Sequence, residues 1–125
     1  MNAPGSTLIF VYGTLKRSGS NHPALAGATY VGEARTAPGF VLYHLGDFPG
    51  MVSAPAELRH VTGEVWSVAP DLLARLDAFE GVPEGLYRRE RVPLAPPFSD
   101  CAVESYLYAQ PLAGRAQIPH GTWTE

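Results

Sequence analysis

The chain holds a single cysteine, Cys101, in 125 residues, which excludes an internal disulfide and fits a reducing, cytoplasmic setting. It has no apolar run near the ~20 residues that a membrane-spanning helix needs. No basic segment precedes the apolar stretch in MNAPGSTLIFVYG, so no signal peptide is read. Positive charge is not in excess either. Nine Lys and Arg against twelve Asp and Glu leave a net charge of −3, which gives no electrostatic ground for nucleic acid or an anionic membrane as a partner. Nucleotide-binding glycine loops and the G-x-S-x-G serine elbow are missing. The histidines, His22, His44, His60 and His120, are dispersed with no pair at helical i, i+3 or i+4 spacing, so no metal is expected. Cys101 follows the acidic Ser99-Asp100 step, which disfavours a thiolate, and reads as a strand residue rather than a nucleophile.

Glycine and proline, by contrast, are plentiful, at 13 and 12, and call for short strands and many turns rather than a helical bundle. With 46% hydrophobic and 17% charged residues the chain reads as one ordinary folded domain over residues 1–125, with its core at about 7–123 and a loose leader over 1–6. The continuous apolar run Thr7 to Tyr12 predicts a buried strand, ended by Gly13-Thr14-Leu15 and a polar turn from Lys16 to Asn21. One helical turn fits His22 to Gly27. Strands fit Tyr30–Ala34, Gly39–Leu45, Met51–Ser53, Val61–Val68, Leu86–Leu94 and Cys101–Ala109, with a turn at Asp47–Gly50. On the last but one, Arg88, Arg89 and Arg91 read as a solvated face. The sum is an α+β domain, a small and mostly antiparallel β-barrel of five to seven strands with a helix packed alongside.

That helix spans about Pro70 to Glu80. Pro70 suits the first helical position and Asp71 the positive end of the dipole, while Gly81 and Pro83 stop the helix. At about 100° per residue, Leu72, Leu76 and Phe79 share one face, and Glu80 falls between Leu76 and Leu73 on the same apolar side. A carboxyl group there, next to the negative end of the helix, is expected to have a raised pKa, which suits acid/base work. A second candidate is the glycine turn after the first strand. Its successive backbone N–H groups can hold an anion such as a carboxylate. Tyr12, Tyr87 and Trp123 are aromatics able to line a pocket.

Three segments, FVYGTLKRSGSNHPAL, LDAFEG and LYRRERVPL, together resemble the γ-glutamylcyclotransferase superfamily, in its γ-glutamylamine cyclotransferase and AIG2-like branch. The tail IPHGTW is also similar, with Thr122 where that branch often carries an acidic residue. YGTL followed some sixty residues later by LD-x-FEG-x-P-x-x-YRR makes the likeness specific, and it covers about residues 8–123. The resemblance implies a small barrel and a cofactor-independent enzyme acting on a small γ-glutamyl substrate. It implies that Tyr12, Gly13, Thr14 and Leu15 form the loop whose amides hold the substrate α-carboxylate. It also implies that Glu80 is the general acid/base that closes the γ-glutamyl group to 5-oxoproline and releases an amine or amino acid. Asp77, three residues earlier, is read as structural. Lining of the leaving-group side is left between Tyr87, Trp123 and the His44–Met51 loop. A same-scaffold enzyme acting on another acylated amine and a non-catalytic binding module are the alternatives.

Overall fold

The apolar run TLIFVY forms β1 (Thr7–Val11), and both of its faces are buried in the computed structural model, which describes residues 5–125. Ile9 and Val11 point into one apolar cluster and Phe10 into another, as the two-residue strand period requires. This double burial is why the sequence shows no polar alternation there. The first four residues of the expected leader lie outside the described residues.

A single 3-10 turn (His22–Leu25) follows, then β2 (Thr29–Arg35), β3 (Phe40–His44), β4 (Pro49–Ser53) and β5 (Thr62–Val68). The helix α1 (Pro70–Phe79), β6 (Tyr87–Arg91), β7 (Val103–Tyr108) and β8 (Ala116–Ile118) complete the order. The strands form one curled sheet, ordered β2-β5-β1-β7-β4-β3-β8, with β6 also on β7. The α+β barrel-like architecture with one packed helix is as the sequence predicts. Its details differ in four places. Eight strands form rather than five to seven, because the short β8 pairs with β3 through Leu42, Tyr43 and His44. Two pairings, β1 with β7 and β4 with β7, are parallel. Pro49 and Gly50, expected in a turn, open β4, where a proline at the first position forfeits no ladder bond. Cys101 is an exposed bend residue outside β7.

The arrangement around β7 creates the cavity. Along one edge β7 pairs with β6 from Glu104 to Tyr108. The other edge is shared: β1 pairs with Val103 to Ser105, and β4 takes over at Leu107. The sheet therefore forks at Tyr106, with the end of β1 and the start of β4 diverging. Helix α1 packs Leu72 and Leu76 into the cluster containing Ile9 and Val11.

Candidate active site

The fork is filled by Tyr12. Its buried hydroxyl donates to the Tyr106 carbonyl at 2.7 Å and accepts the Met51 N–H at 3.1 Å. It thus replaces ladder bonds at the point where β1 leaves β7 and β4 has not yet joined it. Tyr87 performs a related task from β6, donating its hydroxyl to the Pro49 carbonyl at 2.7 Å. Burial, acting with the neighbouring ionisable groups, raises the pKa of both phenols far above the ordinary tyrosine value, so both stay protonated.

A cavity of about 190 Å³ opens beside the fork. Its floor is the segment from Phe10 to Leu15, including Gly13 and Thr14. No described residue accepts a hydrogen bond from the N–H of Gly13, Thr14 or Leu15, so the turn retains donors for an anion. The turn is braced by its neighbours. Asn21 donates its N–H to the Thr14 carbonyl at 2.9 Å and its side-chain amide to Thr14 Oγ1 at 3.0 Å. Arg17 binds Glu64 through its backbone N–H and its Nε, and Lys16 Nζ reaches the Trp123 carbonyl at 2.8 Å. Gly13 lies against β4: a Cβ there would stand 2.7 Å from Pro49 Cγ.

Glu80 lines the same cavity. It caps α1, and the chain then turns at Gly81 with φ of 70°, a left-handed conformation that suits glycine. Gly81 N–H binds the Ala78 carbonyl at 3.1 Å and Val82 N–H the Asp77 carbonyl at 2.9 Å, the bond pair typical of a glycine C-cap. This fixes where the helix ends and hence where Glu80 points. Glu80 is a half-buried residue, but burial of its carboxyl group raises the pKa to about 7. No hydrogen bond from a described residue offsets that loss of water. Among the described residues it is the only charged one lining the cavity. Phe48, Phe79 and Leu86, all partly exposed, form an apolar mouth.

The last turn of α1 is pinned from behind. Arg89 grips Asp77 with two bonds of 2.8 and 3.0 Å and also binds Glu104, and Tyr106 donates its hydroxyl to Asp77 at 2.7 Å. Burial pushes the Asp77 carboxyl upward in pKa, but the bonds from Arg89 and Tyr106 outweigh it and leave the group below the ordinary value. Asp77 is therefore a structural anchor. Arg89, expected on a solvated face, is a clamp.

Of the residues singled out from sequence, Tyr12, Gly13, Thr14, Leu15, Glu80 and Tyr87 meet at one cavity. Trp123 does not line it. The indole packs in the other core cluster against His44, ring centroids 5.3 Å apart, and its carbonyl secures Lys16. Trp123 braces the loop through that carbonyl. Phe79, placed in the core by the helical wheel, is 49% exposed at the mouth. Tyr106 and Asn21 were missed. The apolar alternation of VESYLY was the only signal for Tyr106. A second, more open groove of about 470 Å³ lies near Lys16, Glu33 and Glu64. Glu64 is already bound there by Arg17 and by Trp66 Nε1 at 3.1 Å, and Glu33 is an exposed carboxylate 3.8 Å from Arg17.

The family model described as gamma-glutamyl cyclotransferase, AIG2-like, matches residues 9–125. The chain belongs to that family. It is 36% identical over 118 residues to a Vibrio cholerae protein provisionally named a gamma-glutamylcyclotransferase, covering 94% of this chain and 96% of the relative. It is 34% identical to the human gamma-glutamylaminecyclotransferase over 132 residues, covering 90% and 86% of the two chains. The crystal structure of a mouse AIG2-like protein superposes with a TM-score of 0.68 at 31% identity, covering 84% of this chain and 77% of that one. The gamma-glutamyl cyclotransferase fold and the enzyme class are thereby shown, and no described helix is long and apolar enough to cross a membrane.

Proposed function

We propose that this chain closes the γ-glutamyl group of a small amide to 5-oxoproline and releases the amine, with Glu80 as general acid and base. The observation that carries the proposal is a carboxyl group with a pKa raised to about 7 and no hydrogen-bond partner, in the same cavity as a turn with free backbone donors. The turn Tyr12 to Leu15 takes the substrate α-carboxylate. Glu80, as carboxylate, accepts a proton from the α-ammonium. The freed amine attacks the γ-carbonyl carbon, a C–N bond forms, and the negative charge moves to oxygen, where backbone N–H groups of the turn stabilise it. The bond to the original amide nitrogen breaks as that nitrogen receives the proton from Glu80. The second proton shed by the ring nitrogen passes to solvent or to the released amine. Ring closure is intramolecular, so holding the chain folded supplies much of the rate. The departing amine faces the mouth formed by Phe48, Phe79 and Leu86.

The test is release of 5-oxoproline from γ-glutamyl-ε-lysine, γ-glutamyl-alanine and glutathione by the wild type and by Glu80→Gln. The proposal expects release from at least one, lost by a factor of a thousand or more in the variant, in line with loss of a general acid/base. Release that persists in a folded Glu80→Gln protein would remove Glu80 from the mechanism. No release from any substrate would leave the family and overturn the reaction.

A further inference from the structure

Among the described residues three phenols line the cavity that holds Glu80, and each donates its proton elsewhere. Tyr12, at the end of β1, donates to the Tyr106 carbonyl, and Tyr87, on β6, donates to the Pro49 carbonyl. Both are held by backbone carbonyls that no single side-chain change would remove. Tyr106, on β7, differs. Its hydroxyl is drawn away by the side chain of Asp77, one helical turn before Glu80 on α1. Tyr106 and Glu80 line the same cavity, and the Glu80 charge is one of the influences that raise the Tyr106 phenol pKa. The remaining charged groups behind this wall are Arg89 and Glu104, which bind each other, while Arg89 also binds Asp77. A carboxylate with a phenol to accept from is stabilised; one without is not.

We propose that Asp77 is a positioning residue for the acid/base step: by holding the Tyr106 hydroxyl it keeps that hydroxyl off Glu80, so that the Glu80 carboxylate stays unsolvated and basic. Asp77 thus has a second role besides pinning the helix. It occupies a side-chain donor of the same cavity wall that would otherwise be free to turn towards the working carboxyl group.

The experiment is a carbon-13 NMR titration of the Glu80 carboxyl in wild type, Asp77→Ala, Tyr106→Phe and the double variant, with thermal melts recorded alongside. The titration midpoint is expected near 7 in wild type. It should fall by about one unit or more in Asp77→Ala, as a released phenol bonds the carboxylate. Tyr106→Phe alone should leave it unmoved, and the double variant should bring it back. An unmoved midpoint in Asp77→Ala overturns the proposal. So does a fall that persists in the double variant, which would assign the effect to the unpaired Arg89 charge. Asp77→Ser, whose side chain is too short to hold the phenol in place, replaces Asp77→Ala if the latter melts too early. The consequence for catalysis rests on the proposed function, but the titration reads the carboxyl group itself. Absence of 5-oxoproline in the assay above and failure of this proposal are therefore separate results.

Discussion

Glu80 concentrates the conflict between folding and function into one residue. Ionising a carboxyl group that has lost its water is unfavourable, and the helix C-terminus adds to the cost. Its folded pKa of about 7 lies above the ordinary value of 4.5, so the native state holds the proton more tightly than the unfolded chain. The resulting stability is full below the unfolded pKa and is lost as pH rises through about 7. At about 1.4 kcal/mol per unit, the loss is at most about 3 kcal/mol for this half-buried group. Glu80→Gln cannot ionise, so its melting temperature relative to wild type should rise between pH 5 and pH 8. An unchanged difference would mean that the carboxyl group is not desolvated. The helical wheel disclosed this residue because its side chain follows the apolar stripe. The same wheel misplaced Phe79, since the last residue of a helix faces whatever lies beyond the helix end. Here that is the cavity mouth.

At the scale of elements, the placement of Glu80 depends on the clamp between α1, β6 and β7. Arg89→Met would leave Asp77 with Tyr106 as its only side-chain partner among the described residues and is expected to cost about 1–3 kcal/mol, the usual range for a partly buried charged hydrogen-bond network. Chemical denaturation should show the loss, and turnover should fall with it as the helix end loosens. Normal stability in Arg89→Met would show that the clamp is solvated. Gly81→Ala tests the helix end itself. It forces φ of 70° on a residue with a Cβ, which would stand 3.0 Å from Leu86 Cβ, so destabilisation of about 1 kcal/mol or more is expected in the same measurement. The helix and most strands were legible within a residue or two because periodicity and turn chemistry are local. The clamp was not, because alternating arginines on a strand look alike whether water or a carboxylate meets them.

For the whole molecule, the fork at Tyr106 matters most. A sheet in which β1 and β4 share one edge of β7 must open where they part, and the cavity lies there. Neither the shared edge nor its parallel sense was legible, because strand pairing is set by contacts between residues far apart in the chain. Met51 and Leu107, the pairing that brings β4 to β7, lie 56 positions apart. The position of Trp123 away from the cavity was not legible for a similar reason: a buried indole near the chain end can face a pocket or a brace equally well until the loop it meets is known. The topology sets an order of local stability. Amide exchange should be slowest in β1, β5 and β7, which are paired on both edges by ladders longer than those β3 and β4 make with β8 and β7, and fastest in the three-residue edge strand β8. Equal protection in β8 would contradict this order.

The central claim is that Glu80 works as a base with its pKa raised by its setting. The dependence of kcat/KM on pH, measured by release of 5-oxoproline from a γ-glutamyl amide between pH 5 and pH 9, tests it most directly. The account predicts that activity falls on the acid side through a single ionisation near 7, as Glu80 becomes protonated. A limb at the ordinary carboxylate value, or a profile that Glu80→Gln leaves intact, would contradict it.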